Sequence, residues 1–220
     1  MAIKWYGFWR SLASNRVRIA LAMKGVQAEE ISINLLHGQQ HADDYRALNP
    51  QRVVPALIAD GGRPIFQSLA ILEYLDESHP QPPLLPKDAR GRARVRGLAQ
   101  IVACDTHPLI VPRIRNYLEK ELKVDEPARN RWAQHWIVEG LKAVEAHLAN
   151  ESETGRYCHG NTPTLADICV VSQVFGAQFF KADTSGVPTV MRVFAECMKL
   201  EAFDRTQPLK QPGAPKEVTH

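Results

Sequence analysis

The chain has 220 residues, of which 45% are hydrophobic and 23% are charged, a composition typical of a globular protein with one large domain or two small ones. Its net charge of +3 is too small to indicate nucleic acid as a partner, and no stretch approaches the ~20 consecutive apolar residues of a membrane span. Because the first residues also lack the basic and apolar segments of a secretory signal, we expect a cytoplasmic protein.

The first 35 residues predict a strand, a helix and a second strand. Residues 3–6 are rich in aromatic side chains, which favours a strand. Apolar positions then recur at helical spacing from Val17, and Gly25 follows where a helix C-cap would lie. Polar and apolar residues alternate over 30–35, as they do in a half-buried strand.

A hairpin and another helix follow after a loop. The turn residues Asp60, Gly61 and Gly62 separate two strand-like segments, 53–59 and 64–67. A helix is predicted to begin near Ser68, because the apolar residues beyond it lie on one helical side. The predicted order is therefore β-α-β, loop, β-β-α, which is an α/β domain.

Three prolines within residues 81–86 indicate a break, because proline lacks a donor N–H and restricts the residue before it. We predict a linker at 82–87 between an α/β domain of residues 1–81 and a second domain of residues 88–220. Beyond the linker the apolar spacing is helical over 95–118, 132–148, 165–180 and 187–200. Thr164 and Asp167 have the spacing of a capping box, so the second domain is predicted to be all-helical.

Three groups of polar or sulfur-containing residues are predicted to bind no ligand. Arginines spaced by two do not share a helical face, so we expect a solvated surface at Arg90, Arg92, Arg94 and Arg96. His37 and His41 are four positions apart but lack acidic or cysteine partners at metal-binding spacing, so we expect no metal site. The cysteines form no C-x-x-C pair, which favours reduced thiols in or near the core at Cys104, Cys158, Cys169 and Cys197.

The segment 9–16 connects the first strand to the first helix and carries the first candidate site. Open α/β sheets collect ligands at this end of their strands, and a helix N-terminus favours negative charge. A serine hydroxyl in this segment, which contains Ser11 and Ser14, is suited to donate a hydrogen bond to an anion such as a thiolate. The alternative is that Ser14 caps the helix and Ser11 only shapes the turn.

Two further segments carry candidate groups for a peptide ligand. A cis bond between Val54 and Pro55 would leave the backbone N–H and C=O of Val54 facing outward. Gln67 and Ser68 precede a helix whose free N–H groups, together with the serine hydroxyl, would hold a carboxylate. Ordinary N-capping is the alternative for Ser68. The occurrence of all three features within the first 70 residues favours a binding site.

Several segments match a known family in order and spacing; they are 16–25, 49–50, 54–55, 67–75, 155–160, 164–168 and 200–203. Through them the chain resembles the zeta class of glutathione transferases, from residue 2 to about 214. This class includes the maleylacetoacetate and maleylpyruvate isomerases, and residues 8–11 and 104–108 resemble the maleylpyruvate branch more. The resemblance implies a thioredoxin-like N-terminal domain that binds glutathione, an all-α C-terminal domain, and a homodimer.

The resemblance also implies roles for individual residues. Ser11 matches the catalytic serine of the family, with Arg10 beside it. The positions that match glutathione-binding residues are Gln40, Val54, Gln67, Ser68 and His107. The positions suited to a small acidic or electrophilic substrate are Arg10, His107 and Arg113. Glutathione is then a cosubstrate, and no metal is required.

The sequence departs from the family where the acceptor substrate would bind. Leu12 and Ala13 stand where the family has a second serine and a cysteine, and Phe179 replaces an arginine. The first hypothesis is glutathione-dependent cis–trans isomerisation of a maleyl-type dicarboxylate. The alternatives are conjugation or dehalogenation of an apolar electrophile, and a non-catalytic binder of glutathione or hydrophobic ligands. A dithiol oxidoreductase is disfavoured because no cysteine lies at the N-terminal helix.

Overall fold

The computed structural model describes residues 3–215. The chain forms two compact units: the first runs to Pro83 and resumes at Glu201, and the second spans Leu84–Leu200. The residues after Leu200 were assigned to the helical domain from the sequence, but they pack with the first unit. There, the side-chain amide of Asn15 donates to the carbonyl of Thr206 at 2.8 Å. The predicted domain and linker boundaries themselves stay a prediction.

The first unit is built on a four-stranded sheet in the order β2-β1-β3-β4. Its strands are β1 (Ile3–Gly7), β2 (Ala28–Ser32), β3 (Ala56–Ile58) and β4 (Ile65–Phe66). β1 is parallel to β2 and antiparallel to β3, which is itself antiparallel to β4. The predicted β-α-β and β-β-α order is therefore confirmed.

The helices of this unit include one that the sequence did not predict. They are α1 (Leu12–Lys24), α2 (Asp43–Leu48) and α3 (Ser68–Ser78). α1 ends at Gly25, as predicted, because glycine there adopts φ +64° and its N–H bonds back to the helix. α2 lies in the segment predicted as a loop, after a 3₁₀ turn at Gln39–His41. Lys24 joins α1 to α3 through Asp76 at 2.6 Å.

Three of the four strands, β2, β3 and β4, are shorter than the sequence patterns predict. β2 begins before Glu30 and ends at Ser32, because the side chain of Asn34 then accepts bonds from two backbone N–H groups in a turn. β3 and β4 are limited by positive φ angles at Asp60 and Gln67, which turn the chain out of the sheet. Local propensity located these strands but not their ends.

The second unit is all-helical, as predicted, with α4 (Ala89–Gln100), α5 (Pro112–Lys120), α6 (Glu126–Asn150), α7 (Leu165–Phe180) and α8 (Pro188–Met198). α7 is buried from its first residue to Ala177, and α4, α6 and α8 pack on it. The short helix α9 (Glu201–Asp204) packs on α1 in the first unit.

One predicted helix and one predicted burial need correction. The helix expected over 95–118 is interrupted by a π-helical turn at Ile101–Thr106 and a 3₁₀ turn at His107–Leu109. Pro108 and Pro112 prevent a continuous α-helix because they lack backbone donors. Cys104 lies in this irregular segment and is exposed, whereas the other three cysteines are buried, and all four are free thiols.

The capping box at the start of α7 is confirmed. The carboxylate of Asp167 accepts from the backbone N–H of Thr164 at 2.7 Å and from that of Cys158 at 2.8 Å. Burial nevertheless raises the pKa of Asp167, and these hydrogen bonds oppose the shift. Among residues 3–215, none of the helices combines the length and apolar character that a transmembrane segment requires.

Candidate functional site

The sheet register brings three of the predicted segments together at one end of the strands, which we call the Ser11 edge. β1 and β3 are antiparallel with Tyr6 opposite Ala56, so the end of β1 lies beside the residues that precede β3. Ala56 is also opposite Phe66, which places the residues that follow β4 at the same edge. Ser11, Val54 and Gln67 therefore belong to neighbouring loops, and Phe8, Tyr45 and Val54 form a small core between them.

Ser11 is the N-cap of α1. Its backbone is extended, at φ −74° and ψ 119°, and its Oγ accepts a hydrogen bond from the N–H of Ser14 at 3.2 Å. A serine hydroxyl has one proton and two lone pairs, so accepting this bond leaves the proton of Ser11 available for donation. Capping and donation to an anion are therefore compatible functions of the same group.

Ser14 does not cap α1, which was the alternative considered from the sequence. It is fully buried, and its Oγ accepts from the backbone N–H of Phe8 at 3.2 Å. Ser14 thus fixes the loop before the helix, and Ser11 caps the helix. The first turn of α1 contains no acidic residue, so the positive end of the helix dipole faces the Ser11 hydroxyl without an opposing carboxylate on that turn.

Val54 precedes a cis peptide bond to Pro55, the geometry that the sequence suggested for a peptide-binding loop. The neighbouring carbonyl of Val53 accepts from the hydroxyl of Tyr45 at 2.7 Å and from the amide of Asn49 at 2.8 Å. Burial raises the pKa of Tyr45 to about 12, so its hydroxyl stays protonated and donating at neutral pH. Within residues 3–215, no recorded hydrogen bond occupies the backbone N–H or C=O of Val54.

Gln67 and Ser68 begin α3 in an arrangement that the sequence did not foresee. Gln67 has φ +70° and ψ 122°, a conformation that non-glycine residues rarely adopt outside functional sites, and its Nε2 donates to Gln51 at 2.9 Å. Ser68 is the first residue of the helix and not its cap. Its Oγ accepts instead from Nε of Arg16 at 3.0 Å, and both side chains are buried.

Gln40 lies in the 3₁₀ turn before α2 and is 8% exposed. Its Nε2 is 3.2 Å from Nε2 of His41, while its Oε1 is buried and has no hydrogen-bond partner within the described part of the chain. A buried amide oxygen in this state is costly unless a ligand donates to it.

For the other predicted site residues, Arg10, His107 and Arg113, the structure gives their exposure and the element that carries them. Arg10 is exposed and immediately precedes Ser11 in the first unit. His107 is half-buried at the start of a 3₁₀ turn and Arg113 is exposed on α5, both in the second unit. Their assignment to the same site as Ser11 stays a prediction.

A cavity of about 920 Å³ lies in the second unit and is lined by none of the predicted site residues. Arg94 is one of its lining residues. It forms an ion pair with Glu151 and donates to the hydroxyl of Thr154 at 2.9 Å and to the carbonyl of Cys158 at 2.7 Å. The expectation that Arg94 belongs to a solvated surface is therefore wrong, because its position faces the loop after α6. The charge of Arg94 is therefore matched within the second unit.

Arg16, Tyr45 and Asn49 form hydrogen bonds to the predicted site segments, and the sequence analysis gave none of them a role. Arg16 had a detectable signal, because its neighbours one turn away, Ala13 and Ala20, are apolar and place it on a buried helix face. Tyr45 had none, since the short helix α2 that carries it was not predicted. Asn49 follows that helix and lies in the matching segment 49–50, but the resemblance gave it no role. In the described residues no group of three or more His, Cys, Asp or Glu side chains is placed to hold a metal ion.

Comparison with known proteins agrees with this geometry. Residues 1–77 match the family described as glutathione S-transferase, N-terminal domain. The chain is 48% identical over 212 residues to the maleylpyruvate isomerase of a Ralstonia species, covering 96% of this chain and 100% of that relative.

Two solved structures are also similar over nearly the whole chain. A holo structure of maleylpyruvate isomerase, a bacterial glutathione S-transferase of the zeta class, superposes with a TM-score of 0.93 at 47% identity, covering 96% of this chain and 100% of that one. Maleylacetoacetate isomerase from Methylobacterium extorquens AM1, with bound malonate and GSH, gives a TM-score of 0.95 at 48% identity, covering 96% and 99%. The resemblance inferred from the motifs is confirmed, as is the fold: the chain belongs to the zeta class of the glutathione transferase family, together with the maleylpyruvate and maleylacetoacetate isomerases.

Proposed function

We propose that this protein is a glutathione-dependent isomerase that converts a maleyl-type dicarboxylate, maleylpyruvate or maleylacetoacetate, to its fumaryl isomer. The observation that carries the proposal is the Ser11 hydroxyl, which caps α1 as an acceptor and keeps its proton for a ligand. The relatives named above support it, because one is a maleylpyruvate isomerase and another binds malonate, a dicarboxylate, together with GSH.

Ser11 is proposed to favour the thiolate of glutathione. A free thiol has a pKa of about 8.5, so most of it is protonated at neutral pH. A hydrogen bond from the Ser11 hydroxyl and the positive end of the α1 dipole both stabilise the negative sulfur and lower that pKa. Gln40, Val54, Gln67 and Ser68 are proposed to hold the rest of the peptide, the last three from the same edge as Ser11.

The reaction then proceeds by addition and elimination. The thiolate adds to one carbon of the cis double bond, and the displaced electron pair moves onto the conjugated carbonyl oxygen as an enolate. The former double bond is now single and rotates. When the enolate collapses, the carbon–sulfur bond breaks, the trans double bond forms and glutathione leaves unchanged. Arg10, Arg113 and His107 are proposed to hold the substrate carboxylates and the enolate charge.

The decisive assay offers maleylpyruvate, maleylacetone and a chlorinated acid, each with glutathione, and follows both product and free thiol. We expect the fumaryl isomer to form while the thiol concentration stays constant. Stoichiometric loss of thiol with the chlorinated acid, and no isomerisation, would replace the proposal with conjugation or dehalogenation. That alternative is favoured by the buried apolar pair Leu12 and Ala13 directly after Ser11. Binding without turnover of any substrate would indicate a carrier.

We also propose a cytoplasmic homodimer. Four free cysteines are consistent with a reducing compartment, where glutathione itself is kept as the thiol. The dimer is proposed from the family resemblance, and sedimentation of the purified protein tests it directly.

A further inference from the structure

Arg16 is a buried cation that joins the two helices of the proposed glutathione site. It lies in the second turn of α1, is 2% exposed, and donates from Nε to the hydroxyl oxygen of Ser68 at 3.0 Å. Ser68 is the first residue of α3 and is 5% exposed. The two residues are 52 positions apart in sequence, so this contact is specific to the folded unit.

The chemistry of the pair fixes the direction of the hydrogen bond. An arginine guanidinium has only donors and stays protonated, so the oxygen of Ser68 must be the acceptor. One lone pair of that oxygen is thereby used, and the hydroxyl proton is left available for another partner. A donor that itself accepts from a cation is polarised and binds an anion more strongly.

The same point of the fold is already suited to an anion. The backbone N–H groups of the first turn of α3 have no partners within the helix, and that turn carries no acidic side chain. Gln67, immediately before that turn, has a strained backbone at φ +70°, and its side-chain amide donates to Gln51. These features converge on Ser68.

We propose that Arg16 is a positioning residue for the γ-glutamyl α-carboxylate of glutathione, acting through Ser68. This inference rests on the proposed function, since it needs glutathione at this edge. Arg16 does not touch the ligand. It occupies one lone pair of the Ser68 oxygen and so leaves the hydroxyl proton for the carboxylate, from the helix whose N-terminus carries Ser11.

Two ligands test the proposal by calorimetric binding. The first is S-methylglutathione, in which the blocked sulfur removes any contribution from thiolate formation. The second is the same molecule with hydrogen in place of the γ-glutamyl α-carboxylate. For the first ligand, Arg16→Met and Ser68→Ala are each expected to weaken binding about tenfold or more. In the Ser68→Ala background, Arg16→Met should add little. Neither substitution should weaken binding of the decarboxylated ligand appreciably.

A matched control separates this role from helix packing. Arg18 is also buried on α1, but it pairs with Glu30 at 2.6 Å and stacks over Trp5. Arg18→Met removes a comparable buried charge and should change thermal stability without discriminating between the two ligands. Equal losses for both ligands in Arg16→Met, or losses in Arg16→Met and Ser68→Ala that simply add, would overturn the proposal.

Two further variants test the proposal if Arg16→Met does not fold. Arg16→Lys keeps the charge but not the fixed Nε donor, so an intermediate loss confined to the first ligand is expected. Ser68→Ala, measured with both ligands, tests the donor role without altering Arg16, and an equal loss for both would contradict it. If the unaltered protein binds neither ligand, the proposed function fails instead of the role of Arg16.

Discussion

At the level of the residue, Ser11 and Ser68 share one arrangement. Each hydroxyl accepts a hydrogen bond from within the protein, from the N–H of Ser14 and from the guanidinium of Arg16 respectively. In each case the accepted bond occupies one lone pair and leaves the hydroxyl proton available for a ligand. Preorganised donors of this kind need little rearrangement when charge develops on the ligand.

Replacing Ser11 with alanine is expected to slow isomerisation by about 100-fold or more, because the donor to the thiolate is lost. Loss of the cap should cost only about 1 kcal/mol of stability. Steady-state rates, glutathione affinity and thermal unfolding of the variant provide the measurement, with affinity expected to change little.

Ser11→Asp is the matched control for capping. An aspartate is a good N-cap, but its ionised carboxylate only accepts hydrogen bonds and repels a thiolate. Stability close to that of the unaltered protein with activity lost is the expected result. An active aspartate variant would show that the Ser11 proton is not used.

Tyr45 supports the Val54 loop with a hydroxyl whose pKa is raised by burial from 10.0 to about 12. Because the folded state favours the protonated form, its contribution to stability is complete below pH 10 and is lost as pH rises towards 12. The difference in unfolding free energy between the unaltered protein and Tyr45→Phe should therefore shrink over this range. A difference independent of pH would mean that Tyr45 is not buried as described.

At the level of the element, the start of α3 combines a strained backbone with groups that are proposed to bind glutathione. Gln67 occupies a backbone conformation, φ +70° and ψ 122°, that lies outside the left-handed helical region and is strained for a residue with a Cβ atom. The strained residue lies beside Ser68 and Gln51, at the edge where the predicted segments meet.

Gln67→Gly is expected to raise the unfolding free energy by about 1 kcal/mol, because removing the Cβ atom relieves its steric conflict at this positive φ. Glutathione binding should weaken, because the side-chain amide is gone. Gln67→Ala is the control: it removes the amide but keeps the strain, so it should weaken binding without the gain in stability. Equal stability of the two variants would argue against strain at this position.

The elements themselves show how far the sequence can be taken. Apolar spacing and Gly25 located α1 correctly, because both signals are local. Whether Ser11 or Ser14 caps that helix depends on where its first turn begins, which spacing does not determine. The contact between Arg16 and Ser68 depends on how α1 and α3 pack, and no local pattern encodes it. The candidate edge was therefore predictable, whereas the residues that orient its hydroxyls were not.

At the level of the whole molecule, the first unit is discontinuous in sequence. α9 and the residues after it return to α1, where Asn15 donates to the carbonyl of Thr206 at 2.8 Å. Asn15 is fully buried, four residues after Ser11, so the C-terminal segment supports the helix that carries the proposed catalytic serine.

Asn15→Ala is expected to lower the unfolding free energy by about 1–2 kcal/mol, because the carbonyl of Thr206 loses its buried donor. The segment after Leu200 should also become more sensitive to limited proteolysis in the variant. Mass spectrometry of the fragments identifies the cleavage sites. Unchanged protection of residues 201–215 would show that this bond does not hold the segment to α1.

The buried amine of Lys24 can be used to measure local opening of the first unit by chemical labelling. Its side chain is fully buried between Asp76 and the carbonyl of Pro82, whereas Lys4 is half-exposed on the sheet. An amine-acylating reagent should modify Lys4 at once but reach Lys24 only when α1 and α3 separate, so the Lys24 labelling rate measures that local opening. A ligand that spans Ser11 and Ser68 should slow this labelling in proportion to its occupancy, and binding becomes measurable without any turnover.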